Sequence, residues 1–258
     1  MQIDYTKHRP NYTWLIRETE LGIFHIDASM EHNKDIAALI EGTQKRYMAI
    51  AKVLGFDLHD VKLKEKRQKA NYWFFGPQLI TDSEMKPGKS LKGTGQAGAA
   101  GVDYVVYKDK WRNHMQHILH EETHFWVMRE VGEAPSILNE GIAVYTESII
   151  FDGKEELYKK CRNTWRKHMD EPGLLRKMMT NAFFWEHYGK WPVYTIGAAF
   201  VYYIAECYGM KRLLEIFEGT HWEDENFCCV AEKKLEITIE ELERNAGKFY
   251  QARKKLEK

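Results

Sequence analysis

With 258 residues, the chain is long enough for one large domain or two coupled lobes around a substantial core. Apolar residues make up 44% and aromatic residues 13%, which excludes a disordered chain. Lysine plus arginine and aspartate plus glutamate each total 38, so a net charge of +0 leaves no electrostatic footprint for nucleic acid or an anionic membrane.

The four cysteines, Cys161, Cys207, Cys228 and Cys229, include an adjacent pair and no CxxC, which argues against a disulfide framework or a cysteine-based zinc site. The opening stretch MQIDYTKHRPNYTW carries charges early and lacks the apolar segment of a signal peptide. The longest apolar run, Val193 to Ala205, is too short to span a bilayer. A soluble, cytoplasmic protein is the expectation, and a chain trimmed of its leader reads the same way.

In chain order, GIFHID (Gly22 to Asp27) alternates as a strand does, and the run from Asn33 has helical spacing until Gly55 stops it. VKLKEK (Val61 to Lys66) alternates as an exposed or edge strand, and NYWFF (Asn71 to Phe75) reads as a strand before the Gly76-Pro77 turn. A loop rich in glycine, lysine and serine follows, from Lys86 to Gly101, and then the strand-like VDYVVY (Val102 to Tyr107). From about Trp111 the pattern turns helical: residues 112–132, with Pro135 just beyond, then 136–151, 155–169, 173–185, 195–209, 210–219 and 238–257. Thr238 is placed to cap the last of these, with Glu241 three residues on. No internal repeat is visible. These elements predict an α+β protein, with a strand-rich N-terminal α/β lobe over 1–131 and a helical lobe over 132–258.

The densest chemistry lies in HILHEETHFW, His117 to Trp126, which contains HEETH. Residues four apart lie about 40° apart on a helix, so His120 and His124 reach one ion from adjacent turns. Glu121 points about 100° from His120 and about 60° from His124, near the ion without being required to bind it. That is the place of a base for a metal-activated water. A solvated or capping role on a crowded helix surface is the alternative for these histidines. A catalytic site needs a third protein ligand, and fifteen residues after His124 comes LNEGIAVYTES; the turn GEAP lets a second helix fold back and present Glu140. His117 is about 10 Å along the axis from His124 and cannot share an ion with both histidines of HEETH, although His117 and His120 make a rival pair. His114 lies on the same face and, like His117, otherwise lines a cleft or joins the packing.

HEETH followed by NEG resembles the gluzincin clan of zinc metallopeptidases, the thermolysin-like and aminopeptidase N-like enzymes with peptidase MA-like catalytic domains. The resemblance implies a thermolysin-like zincin fold, one Zn2+ held by His120, His124 and Glu140, and Glu121 as general base. YTIGAAFVYYIAECYG is similar to the Y-x-x-G helix start of the aminopeptidase-like members, which makes Tyr194 a donor to the tetrahedral intermediate. Anchoring a buried helix is its other reading. Glu147 matches a glutamate of the aminopeptidase branch that supports the metal ligands, and reads equally as a surface residue.

GTGQAG, Gly93 to Gly98, spells G-x-G-x-x-G, but a loop precedes it and a strand follows, against a dinucleotide site. In gluzincins a strand before the HExxH helix pairs with the substrate backbone. On that resemblance Gln96, Ala97, Gly98 and Ala99 form the substrate-binding edge strand. The G-x-M-E-N stretch that holds a free α-amine in aminopeptidases is absent, which favours an endopeptidase. The aromatic stretch Asn181 to Tyr194 walls a pocket or fills a core, and the lysine-rich Lys86 to Lys92 is a candidate lid.

The leading expectation is therefore a zinc-dependent endopeptidase acting on a peptide or protein substrate, with no nucleic-acid or membrane partner. A catalytically silent zinc-bearing binding or regulatory protein, and a zinc hydrolase of a non-peptide substrate, stay open beside it.

Overall fold

The structure is a computed structural model. It describes residues 13–32, 34–56, 69–75, 95–98, 101–105, 115–132, 134–169, 172–187, 192–220 and 225–252. The expected strand at Val61 to Lys66, the lysine-rich stretch Lys86 to Lys92, Ala99 and His114 lie outside the described residues, as does the side chain of His117. By its contacts the chain forms two compact units: Met1–Ala51 with Asp57–Trp126, and Lys52–Phe56 with Val127–Lys258.

The first unit contains a five-stranded mixed sheet of order β1-β2-β3-β5-β4, made of β1 (Trp14–Glu18), β2 (Gly22–Asp27), β3 (Ala70–Phe75), β4 (Gly95–Gly98) and β5 (Gly101–Val105). β1 pairs antiparallel with β2, and β4 antiparallel with β5; the inner pairs β2–β3 and β3–β5 are parallel. Alternation places Phe24, Ile26, Tyr72 and Phe74 on buried positions. Phe24 and Tyr72 sit opposite one another in the register, with stacked rings 4.6 Å apart. Helix α1 (Lys34–Leu54) follows β2. Its buried stripe runs Ile36, Leu39, Ile40, Thr43, Arg46, Tyr47, Ile50, Ala51, Leu54, a helical period in which Arg46 is the conspicuous exception to apolarity.

This corrects the expected fold class. The described residues are mostly helical, with one small sheet, and a strand-rich N-terminal lobe of thermolysin-like type does not match them. The strands are only 4 to 6 residues long. β1, absent from the sequence pattern, completes the sheet at one end.

Helix α2 (Met115–Glu130) carries HEETH, and Gly132, with φ +140, ends the turn after it, its N–H donating to the Val127 carbonyl. In the second unit come α3 (Ser136–Phe151), α4 (Lys154–His168), α5 (Leu174–Met178), α6 (Asn181–His187), α7 (Val193–Cys207), α8 (Met210–Glu218), α9 (Phe227–Leu235) and α10 (Ile239–Ala252). The run expected as one helix over 173–185 breaks into α5 and α6, where the Thr180 hydroxyl accepts from Phe183 N–H and starts the second. Thr238 caps α10 through Glu241 N–H at 3.2 Å, as its pattern predicts. Helix α9 is an addition that the periodicity did not announce.

Helix α7 is buried over most of its length, from Val193 to Ile204. Its Tyr202 joins Tyr145, Tyr158, Phe249 and Tyr250 in an aromatic cluster, and the Tyr250 hydroxyl donates to the Ala199 carbonyl at 2.5 Å. Helices α3 and α7 cross with their backbones in contact, at Gly141 and Gly197. A methyl on Gly197 would collide with the Ile137 carbonyl oxygen, and one on Gly141 with the backbone of Gly197. Among the described residues no helix is long and apolar enough to cross a membrane.

Because both obstacles are backbone, the helices must separate to admit a side chain. Gly197→Ala is expected to destabilise the protein by about 3 kcal/mol or more, the upper end for overpacking. The midpoint and slope of urea unfolding check this, and an unchanged midpoint contradicts the crossing.

Candidate metal centre

Helix α2 is packed nearly all round: Ile118, Leu119, Phe125, Trp126 and Val127 are all buried. The buried polar groups of the helix are His120, Glu122 and Thr123. His120, only 9% exposed, and the half-buried His124 turn their rings nearly perpendicular, at 81° with centroids 4.7 Å apart. Their Nε2 atoms lie 3.1 Å apart.

One carboxylate oxygen of Glu140 joins them, and all three ligand atoms lie within 4.8 Å of one another. Among the described residues this is the group of histidine, cysteine and acidic side chains able to hold a metal ion. The donor set fits a tetrahedral cation of the zinc kind. Metal–nitrogen bonds of about 2.0–2.1 Å at a tetrahedral angle put two nitrogens about 3.3 Å apart, close to the observed 3.1 Å. Two imidazoles and one carboxylate also leave a coordination position for water or substrate.

The residues around Glu140 have separate tasks. Asn139 folds its amide back onto Ala134, with Nδ2 donating to the Ala134 carbonyl at 2.7 Å and Oδ1 accepting from Ala134 N–H at 3.3 Å. This clasps the entry to α3 one residue before Glu140. Gly141, one residue after it, is the crossing point with α7. Glu140 is thus held from both sides by its neighbours in the chain.

The remaining candidates are placed as follows. Glu121 is half-buried on α2, one residue from His120. Tyr194 lies in the first turn of α7, half-buried beside Phe184 with ring centroids 6.4 Å apart, and three residues before Gly197. Glu147 is half-buried two turns beyond Glu140 on α3. Gln96, Ala97 and Gly98 belong to β4, the strand at the end of the sheet order, which pairs antiparallel with β5. The aromatic stretch divides: Phe184 is buried, Phe183 stacks on His187, and Trp185 is 62% exposed.

Sequence reasoning passed over the second glutamate of HEETH. Glu122 is fully buried and receives Arg46 Nε at 2.6 Å, Arg46 Nη2 at 2.8 Å and the Tyr72 hydroxyl at 3.2 Å. Burial, and next the Glu122 charge, hold the Tyr72 phenol well above its ordinary range, so it stays a neutral donor. The signal available in the sequence was Arg46 itself, standing in the buried stripe of α1.

Asn139→Ala removes the clasp and leaves the buried-side Ala134 groups without their partner. Chemical denaturation should show a loss of about 1–3 kcal/mol, and no loss would mean that the turn is held by other contacts.

No family model matches the chain, and no curated protein matches its sequence.

Proposed function

We propose that the protein is a zinc-dependent metallopeptidase that hydrolyses internal peptide bonds, with a ligand set resembling that of the gluzincins. The observation that carries this reading is the convergence of His120, His124 and Glu140, with their ligand atoms all within 4.8 Å of one another. When bound there, zinc supplies Lewis acidity and brings the pKa of water down to about 7.

The chain's own residues divide the remaining work. His120 and His124 offer Nε2 lone pairs and Glu140 a carboxylate oxygen to the ion. The Glu121 carboxylate takes the proton of the attacking water and passes it to the leaving amine nitrogen. The Tyr194 phenol donates a hydrogen bond to the carbonyl oxygen as negative charge develops on it. Glu147 supports the ligand side of α3. β4, with Gln96, Ala97 and Gly98, offers backbone groups for an extended peptide, the mode in which a peptide adds to a sheet edge. Ala99 continues that role in sequence. The substrate is accordingly a peptide or protein segment in extended form.

Two measurements test the proposal. In competition with a chromophoric chelator, Glu140→Gln should bind zinc more than about a hundredfold more weakly, beyond the about 10–100-fold typical of losing an outer contact; equal affinity would remove Glu140 from the ligand set. In a peptide-library digest read by mass spectrometry, zinc-loaded wild type should cut at internal bonds. Glu121→Gln should keep its zinc and cut about 100–10,000-fold more slowly. If both proteins hold zinc and neither cleaves any peptide, the peptidase reading fails.

A further inference from the structure

We propose that Arg46, Glu122 and Tyr72 are positioning residues that set the rotation of helix α2, and with it the aim of His120 and His124. The proposal rests on the reading of these two histidines as metal ligands.

The geometry starts from the helix period. At about 100° per residue, the bisector of His120 and His124 lies about 20° past His120, and Glu122 lies about 200° past it. The Glu122 side chain therefore leaves the helix almost diametrically opposite the histidine pair. Whatever holds Glu122 from behind fixes where the histidines point in front.

The hold is specific in direction. Arg46 presents Nε and Nη2 to the two carboxylate oxygens of Glu122, at 2.6 and 2.8 Å, and the side-by-side fork defines a plane as well as a distance. Tyr72, on β3, adds a third donor at 3.2 Å from another element. Arg46 is itself fixed: Nη1 donates to the Leu39 carbonyl at 2.9 Å and Nη2 to the Thr43 hydroxyl at 3.2 Å. Gly42 leaves the room, since a methyl there would stand 2.8 Å from Nη1. One turn further along the same back face, Tyr47 packs on Trp126 with ring centroids 4.4 Å apart. Consecutive residues of α1 thus engage two positions of α2 spaced by four.

A buried ion pair is a poor device for stability alone. Replacement of such a pair by apolar residues of similar volume is often neutral or stabilising, whereas a directional pair between ions specifies an arrangement. Tight apolar packing of α2 would hold it against α1 and β3 without choosing its rotation so narrowly. The carboxylate at the back chooses it.

The test compares wild type, the paired variant Arg46→Met with Glu122→Leu, the single variant Tyr72→Phe, and His120→Ala. The readouts are thermal unfolding, zinc affinity by chelator competition, and the visible absorption band of the cobalt-loaded protein, which reports ligand geometry. The paired variant leaves no orphaned charge and should unfold cooperatively close to wild type. Its zinc affinity should fall about tenfold or more, with a shifted or weakened cobalt band. Tyr72→Phe, which removes one hydroxyl and no charge, should stay folded with a modestly lower melting temperature and lose roughly two- to threefold in zinc affinity.

A folded paired variant with wild-type zinc affinity and an unchanged cobalt band overturns the proposal. If the paired variant does not fold, Tyr72→Phe decides, and wild-type affinity there overturns it equally. Should His120→Ala bind zinc as well as wild type, the metal site itself falls and the proposal falls with it. That failure is separate, because it shows in the ligand variant and not in the residues behind the helix.

Discussion

A carboxylate taken wholly out of water must be answered by charge and hydrogen bonds, and this constraint organises the first unit. Glu122 is fully buried, so three donors converge on it. They come from α1 and β3, elements distant in sequence, and meeting them ties both to α2. The guanidinium in turn needs the Leu39 carbonyl and the Thr43 hydroxyl, so about two turns of α1 are committed to one ion pair. The aromatic contacts of Phe24 with Tyr72 and of Tyr47 with Trp126 then close apolar surface around the polar group. Excluding water there strengthens each bond of the network.

In the second unit a different rule dominates. Three successive residues of α3 divide the labour of placing one carboxylate: Asn139 fastens the turn, Glu140 faces the histidines, and Gly141 admits the neighbouring helix. On α7 the partner glycine follows Tyr194 by three residues, so the two short motifs that drew attention in the sequence meet at one crossing. Each glycine has a steric reason, independent of any chemistry nearby. The glycines of NEG and of Y-x-x-G are therefore explained by packing.

Much of the helical architecture was legible because helices are local. The run 136–151 was readable residue for residue, and the cap of α10 announced itself through Thr238. The convergence of His120, His124 and Glu140 was legible for the same reason: the two histidines are one turn apart, and a short turn brings Glu140 back. What escaped depends on long-range partners. Glu122 and Arg46 are 76 residues apart, and a glutamate beside a glutamate in HEETH offers no sign that one faces inward. The strand-rich lobe was an over-extension from short alternations, since a few alternating residues cannot distinguish one small sheet from a large one. The break between α5 and α6 hung on a single threonine hydroxyl, against an apolar rhythm that continues through it.

The glycine crossing has a consequence for how the sequence can change. Most tight places in a protein interior can be repaired across the contact, one side growing as the other shrinks. Between α3 and α7 neither helix has a side chain to give up, because each added methyl would meet main chain. No compensating substitution on the facing helix exists at this point. The two glycines are thus independent of the drift elsewhere in the core: the aromatic cluster around Tyr202 can be reshuffled in concert, while Gly141 and Gly197 can only be kept.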